Sequence, residues 1–240
     1  NYFSQSTMGV WRSDDGGASF YATMLRSEGG PNLHGWTSDG SDYSGQAWWD
    51  MCIAVDPFDE NKIVLGGVNL WESNDGGYSW NCDAHWSGQG EYPQVHADQH
   101  GLTFLSDGRL LVANDGGVYL RDALGQYADK SDGLDIAQIY ALGLSPHRHS
   151  DLICGTQDNG TSLYNTDGWQ RILDGDGMGC FFHSLDSNTL FMSAYYGLLY
   201  RSTDAGRSNT QIANYFGSGV NEVGNWLTPW LTSPHNPEVI

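Results

Sequence analysis

The densest polar motif of the chain is His96-Ala97-Asp98-Gln99-His100. Imidazole and carboxylate groups bind metal ions, and they also hold and move protons at reactive sites. On a β-strand, alternation sets His96, Asp98 and His100 on one face. Their Cβ atoms then span about 13 Å, too far for one ion to reach all three without a bend. The preferred reading is a hydrogen-bonded cluster that lines a channel or touches a ligand. A metal site at His96, Asp98 and His100 is the alternative.

Two further polar motifs sit among glycines. In Gly155-Thr156-Gln157-Asp158-Asn159-Gly160, Gln157 and Asp158 either point at a ligand or hold a turn between two strands. In Asp174-Gly175-Asp176-Gly177, two acids flanked by glycine suit a structural calcium ion, although the Glu at position 12 of a helical calcium loop is absent. No cofactor is required.

Aromatic residues gather in three long polar stretches, residues 28–50, 81–95 and 209–230. They include Trp36, Tyr43, Trp48, Trp49, Trp86, Tyr92, Tyr215, Phe216, Trp226 and Trp230. Among Gly, Ser, Asn and Asp, such rings form a stacking surface for sugars or for a protein partner. Folded inward, they would instead give the loops small cores. Trp36, Trp48, Trp49, Trp86, His96, His100, Gln157 and Asp158 are the expected ligand-contacting set.

The elements that carry these residues are legible from a phrase written three times. It reads Ser13-Asp14-Asp15-Gly16-Gly17-Ala18-Ser19-Phe20, Ser73-Asn74-Asp75-Gly76-Gly77-Tyr78-Ser79-Trp80, and Ser202-Thr203-Asp204-Ala205-Gly206-Arg207-Ser208-Asn209. Ser and Asp accept nearby backbone N–H groups, glycine supplies a positive φ, and a closing aromatic covers the turn. Each copy follows an apolar-aromatic pair, Val10-Trp11, Leu70-Trp71 or Leu199-Tyr200. Two degraded copies follow Val118-Tyr119 and Leu163-Tyr164, so the anchors recur about every 50 residues, the length of a four-stranded blade. Asn114-Asp115-Gly116-Gly117 resembles the phrase but precedes its anchor, and is read as a different turn. Strand–turn–strand stretches fill the intervals: 53–67, 142–155, 181–192 and 232–240.

These phrases resemble the Asp-box, or BNR-repeat, β-propellers, the superfamily of sialidases, sortilin-like receptors, xyloglucan-cleaving hydrolases and many bacterial surface proteins. The resemblance implies an all-β propeller of four-stranded antiparallel blades. Some five blades are expected over residues 1–240, as part of a larger propeller whose ends cut through blades. It also implies that Ser13, Asp15, Gly17, Ser73, Asp75, Gly77, Ser202, Asp204 and Gly206 are architectural. The run from Trp48-Trp49-Asp50-Met51 through Asp56-Pro57-Phe58-Asp59 to Trp71 is similar to blades of the xyloglucan-cleaving enzymes, which set two carboxylates across a cleft. On that resemblance Asp98, Asp174 and Asp176 are the candidate catalytic acids, none within a full catalytic motif. The Arg-Ile-Pro start of sialidases is absent. The resulting expectation is a non-catalytic binding or structural module for protein or glycan, joined to the rest of its propeller or to a larger surface assembly. A glycoside hydrolase is the alternative.

Composition narrows the partners. Ten basic and 29 acidic residues give a net charge of −19, a poor surface for nucleic acid. No apolar run is long enough to span a membrane. Abundant Gly, Trp and Tyr suit an extracellular or cell-surface β protein. Cys52, Cys82, Cys154 and Cys180 match no zinc spacing; Cys52, Cys154 and Cys180 lie in strand positions and suit buried thiols, whereas one or two disulfides would fit export.

Overall fold

A computed structural model describes residues 4–214, 220, 222–233, 235, 236, 239 and 240. The chain is all-β, built from propeller blades, with two single-turn 3-10 helices, Arg26–Glu28 and Tyr195–Gly197, among the described residues. It divides into two compact units, Asn1–Asp135 and Ile136–Ile240.

The first unit opens with β1 (Gly9–Arg12) paired antiparallel to β2 (Tyr21–Leu25). Two four-stranded meanders follow. One is β3 (Cys52–Asp56), β4 (Asp59–Gly66), β5 (Leu70–Ser73) and β6 (Asn81–Ala84). The other is β7 (Gln99–Phe104), β8 (Leu110–Asn114), β9 (Gly117–Arg121) and β10 (Tyr127–Asp129). The period of two explains their stacking. Ile63 and Leu65 of β4 face a core with Val10, Met24, Leu33, Trp71 and Trp80. Val64, between them, faces a second core with Leu70, Ala84, Val95, Leu110 and Val112. A strand apolar on both faces is covered on both faces. A buried clasp joins the two meanders: Arg121 meets Glu72 at 2.6 Å and Asp83 at 3.1 Å, and Tyr127 donates to Asp83 at 2.5 Å.

The second unit repeats the meander twice. One is β11 (Ile139–Leu144), β12 (Leu152–Thr156), β13 (Gly160–Asn165) and β14 (Gly168–Leu173). The other is β15 (Cys180–Phe182), β16 (Leu190–Ala194), β17 (Leu198–Ser202) and β18 (Thr210–Ala213). Ile153, Leu163, Cys180, Phe182, Leu190 and Met192 form its core.

The three phrases share one hydrogen-bond pattern. In the second, Ser73 Oγ donates to Asp75 Oδ1 at 2.8 Å and accepts the Gly77 N–H at 2.8 Å. Asp75 in turn accepts the amide and hydroxyl of Ser79 at 2.9 and 2.5 Å. Residues Ser13, Asp15, Gly17 and Ser19 repeat it, as do Ser202, Asp204, Gly206 and Ser208. The serine hydroxyl and amide hold the Asp15 and Asp204 carboxyls down to about 2. Trp80 closes the second turn, buried with its Nε1 donating to Gly77 O at 3.0 Å, whereas Phe20 lies open to solvent. Asn114-Asp115-Gly116-Gly117 is the tight turn between β8 and β9.

One expectation about local structure fails, and one open choice is decided. Residues 231–233, 235, 236, 239 and 240 are in no strand. Ser233 Oγ accepts the amides of His235 and Asn236 at 3.3 Å, which folds this stretch into a turn. Pro234, Pro237 and Glu238, part of the expected strands, lie outside the described residues. The four cysteines are free thiols rather than disulfides. Burial raises the Cys52 thiol to about 11 and the Cys180 thiol to about 12.

Candidate functional site

The site is built on a loop that is fastened before it turns. Thr7 donates its N–H to Asn32 Oδ1 at 3.0 Å, and its hydroxyl lies 2.8 Å from His34 Nδ1. This buried set fixes two backbone rails. Gly45 N–H bonds Ser4 O at 3.0 Å, Gln46 N–H bonds His34 O at 3.1 Å, and Ala47 N–H bonds Gln5 O at 3.0 Å. Position 45 has to be glycine, because a Cβ there would collide with the His34 carbonyl. Trp49 and Asp50 then both return their N–H groups to Gln46 O, at 2.8 and 3.2 Å, which makes the turn that presents Trp48 and Trp49.

Facing this loop in the same unit are the start of β7 and the β8–β9 turn. Gln46 Nε2 donates to Asp50 Oδ2 at 3.1 Å and also to Asp98 Oδ1. Asp98 O accepts the Asp115 N–H at 3.3 Å. Asp115 takes His100 Nε2 on Oδ1 at 2.6 Å and Trp49 Nε1 on Oδ2 at 3.4 Å. Trp49 packs edge-on to His100, ring centroids 5.3 Å apart, and against Trp48 at 5.8 Å. Trp48 is 69% exposed and Trp49 45%, whereas Asp50 has no exposed surface.

Burial dominates the electrostatics. It pushes the Asp50 carboxyl up to about 8, with the negative charge of Asp98 adding to the effect and the Gln46 hydrogen bond opposing it. It pushes Asp98 up to about 6, Asp115 adding and His96 and His100 opposing. Asp50 therefore keeps its proton through neutral pH, and Asp98 loses its own just below it. Asp50 Oδ1 finds no hydrogen-bond partner among the described residues.

The expected His96–Asp98–His100 face does not form as proposed. β7 begins at Gln99, and Asp98 sits at φ 63°, in the left-handed region, so the premise of strand alternation fails at 96–98. Gln99 causes the break: it is buried, its N–H bonds Gly67 O at 3.0 Å, and its side chain reaches back to His96 O at 2.6 Å. His96 packs its ring over Gly116, His100 is engaged by Asp115, and Asp98 by Gln46. The result is a hydrogen-bonded cluster.

The other expected residues fall elsewhere. Trp36 and Trp86 form a separate group about Asn69 and His85: Asn69 bonds Trp36 O at 3.2 Å and the Trp86 N–H at 2.9 Å, and His85 Nε2 lies 2.9 Å from Trp36 O. In the second unit Gln157 accepts from Tyr140 at 2.6 Å, and Tyr140 accepts from Trp226, which stacks on Tyr195. Asp158 occupies the β12–β13 turn at φ 58° and gives its N–H to Asp176 Oδ1 at 3.0 Å. Asp174 is solvated and pairs with Arg171 at 3.0 Å. Trp230 packs inward on Phe181 and Phe191. Tyr215 and Phe216 lie outside the described residues. Sequence reasoning missed Gln46, which carries no motif. It also passed over the roles of Asp50, quoted only inside a resemblance, and of Asp115, set aside only as a false repeat.

No protein-family model matches the chain, and no curated protein does. Among solved structures it is similar to a GH74 enzyme from Niastella koreensis (18% identity, TM-score 0.34, 85% of this chain and 34% of that one). It is also similar to the GH74 xyloglucanase from Xanthomonas campestris (19%, 0.34, 85% and 34%) and to YCF48 bound to D1 peptide (12%, 0.32, 84% and 60%). The chain thus spans about a third of the two GH74 enzymes and 60% of YCF48. These are β-propeller proteins, and at such identities the likeness concerns fold alone. No helix among the described residues is long and apolar enough to cross a membrane.

Proposed function

We propose that this chain is part of an Asp-box propeller, extracellular or on a cell surface, that binds glycan without transforming it. The observation that carries this reading is the Trp48–Trp49 pair, exposed yet locked in place. Its loop is fastened by three backbone hydrogen bonds, and the Trp49 indole is held by Asp115 and His100. Rigid rings beside carboxylate and imidazole groups suit a sugar, whose apolar face stacks while its hydroxyls bond the polar rim. The reading requires no cofactor, and a negatively charged surface favours a neutral glycan over a polyanion.

Calorimetric titration with neutral β-glucan and xyloglucan oligosaccharides tests it. Trp48→Ala and Trp49→Ala should each weaken binding about tenfold, the effect of losing roughly 1.5 kcal/mol of stacking. Unaltered affinity in both variants, or binding of proteins but no glycan, refutes it. A second reading, glycoside hydrolysis, is favoured by one feature: carboxylate oxygens of Asp98 and Asp115 lie within 4.8 Å, and Asp98 keeps its proton to about 6. Two carboxylates this near each other suit the closely spaced pair of a retaining enzyme rather than the wider pair of an inverting one. Release of reducing sugar that disappears in Asp98→Asn would establish that reading in place of the first.

A further inference from the structure

The residue beneath the tryptophan pair has no role in stacking and no access to a ligand. Asp50 is fully buried, one of its oxygens is unpartnered among the described residues, and no cation pairs with it there. Among the described residues its side-chain hydrogen bond comes from Gln46, whose single amide nitrogen also serves Asp98. The titratable groups that face this assembly are Asp98, Asp115, His96, His100 and Cys52, with His34 beneath the loop. Two of them are further acids. His100 is turned to Asp115, and the burial of His34 lowers its pKa to about 4, so it stays neutral. An ionised Asp50 would therefore be an uncompensated buried charge, which is strongly unfavourable.

We infer that Asp50 is a positioning residue that works as a neutral acid: protonated, it lets one Gln46 amide tie the loop to Asp98 and so holds the Trp48–Trp49 platform in place. On ionisation the proton leaves to solvent. The Asp50 and Asp98 carboxylates then repel across the shared amide, and the loop loosens from its rails. The burial that raises the Asp50 pKa to about 8 puts this release just above neutral pH. The inference deepens the glycan-binding reading, but its structural half stands without any glycan.

The experiment therefore has two arms on the full chain. In the first, without ligand, the ¹³C carboxyl resonance of Asp50 is titrated, and hydrogen exchange is followed at Gln46, Ala47, Trp49 and Asp50. The carboxyl should titrate near 8. Exchange should rise at least tenfold more than intrinsic base catalysis between pH 7 and 9, and Asp50→Asn should abolish that excess. A carboxyl that titrates near 4 overturns the inference whether or not the variant folds. Exchange that stays intrinsic as Asp50 ionises overturns it too. In the second arm a xyloglucan oligosaccharide is titrated at pH 6 and 9. Affinity should fall at least tenfold in the wild type and hold in Asp50→Asn. Equal wild-type affinity at both pH values, with Asp50 shown ionised at the higher, refutes the positioning role. Binding of no oligosaccharide at any pH, with the first arm intact, refutes the glycan reading and leaves the loop latch standing.

Discussion

Replacing Asp50 by asparagine should change how stability depends on pH, in a window where few other groups act. The folded carboxyl titrates at about 8 rather than 3.8 because it is buried. At neutral pH the folded chain therefore holds a proton that the unfolded chain has lost. With more protons bound when folded, stability is fully present at low pH and falls as pH rises toward the folded pKa, by about 1.4 kcal/mol per pH unit. Two other site groups act only at lower pH. Asp98, at about 6 when folded, contributes in the same sense below that value. His34 acts oppositely: its folded pKa of about 4 lies below 6.5, so acidification through that range favours the unfolded chain, which takes up the proton. Between pH 6.5 and 8 Asp50 dominates the slope from these three groups, with His34 opposing it at the lower end, and comparison with the variant cancels His34 and the rest of the chain.

Asparagine matches the neutral acid in shape and cannot ionise. Over that window the stability difference between variant and wild type should move in favour of the variant by about 1.5–2 kcal/mol, whatever constant offset the amide brings. Urea unfolding at several pH values across the window measures it. Parallel curves for the two proteins would show that Asp50 is ionised in the folded chain, and the account of its burial would be wrong.

Arg121→Met should destabilise by about 2–4 kcal/mol at neutral pH, because it leaves the half-buried Glu72 and Asp83 carboxylates without their partner. The loss should shrink as acid neutralises Asp83, whose pKa burial raises, and a loss under 1 kcal/mol in urea unfolding would show the clasp to be idle. Ser73→Ala should cost about 1–3 kcal/mol, since it strands the buried Gly77 N–H, whereas Ser13→Ala, in the solvent-exposed copy, should cost less than about 1. Equal losses in thermal or urea unfolding would contradict the burial argument. Gly45→Ala should shift the Trp48–Trp49 loop off the His34 carbonyl and weaken oligosaccharide binding about tenfold or more, measured by calorimetry. Unchanged affinity would mean that the loop is not what holds the platform.

The blades were legible because their determinants are local. A Ser-x-Asp-x-Gly-x-Ser phrase closes its own hydrogen bonds within seven residues, and period-two apolar strands bury themselves wherever blades stack. Even the false repeat at Asn114–Gly117 was separable by its order relative to Tyr119. The site was legible only in part, because its contacts are remote. Gln46 meets Asp98 across 52 positions, and Trp49 meets Asp115 across 66. Nothing near Gln46 announces it. The reading of His96 to His100 as a regular strand failed for a related reason: the buried side chain of Gln99 bonds back to His96 O and ends the strand there. The aromatic loops divided for steric reasons. Trp48 stayed in solvent, while Trp230 found Phe181 and Phe191 to cover it.

Burial separates the roles of the two acids with raised pKa values. Asp50 can touch no ligand, so its proton acts through Gln46 on the loop alone. Asp98, partly open, is the acid that a substrate could meet. A carboxyl that keeps its proton to about 6 is useful to a hydrolase, but it is also what a carboxyl becomes when it is half-buried and close to Asp115. The raised pKa of Asp98 follows from packing under either function, and so cannot choose between them. Turnover can: reducing sugar released by the wild type and not by Asp98→Asn would give the acids a role beyond packing. A latch that governs the exposed rings through a residue no ligand reaches makes sense where the rings carry the function, and it has no necessary place where the acids do.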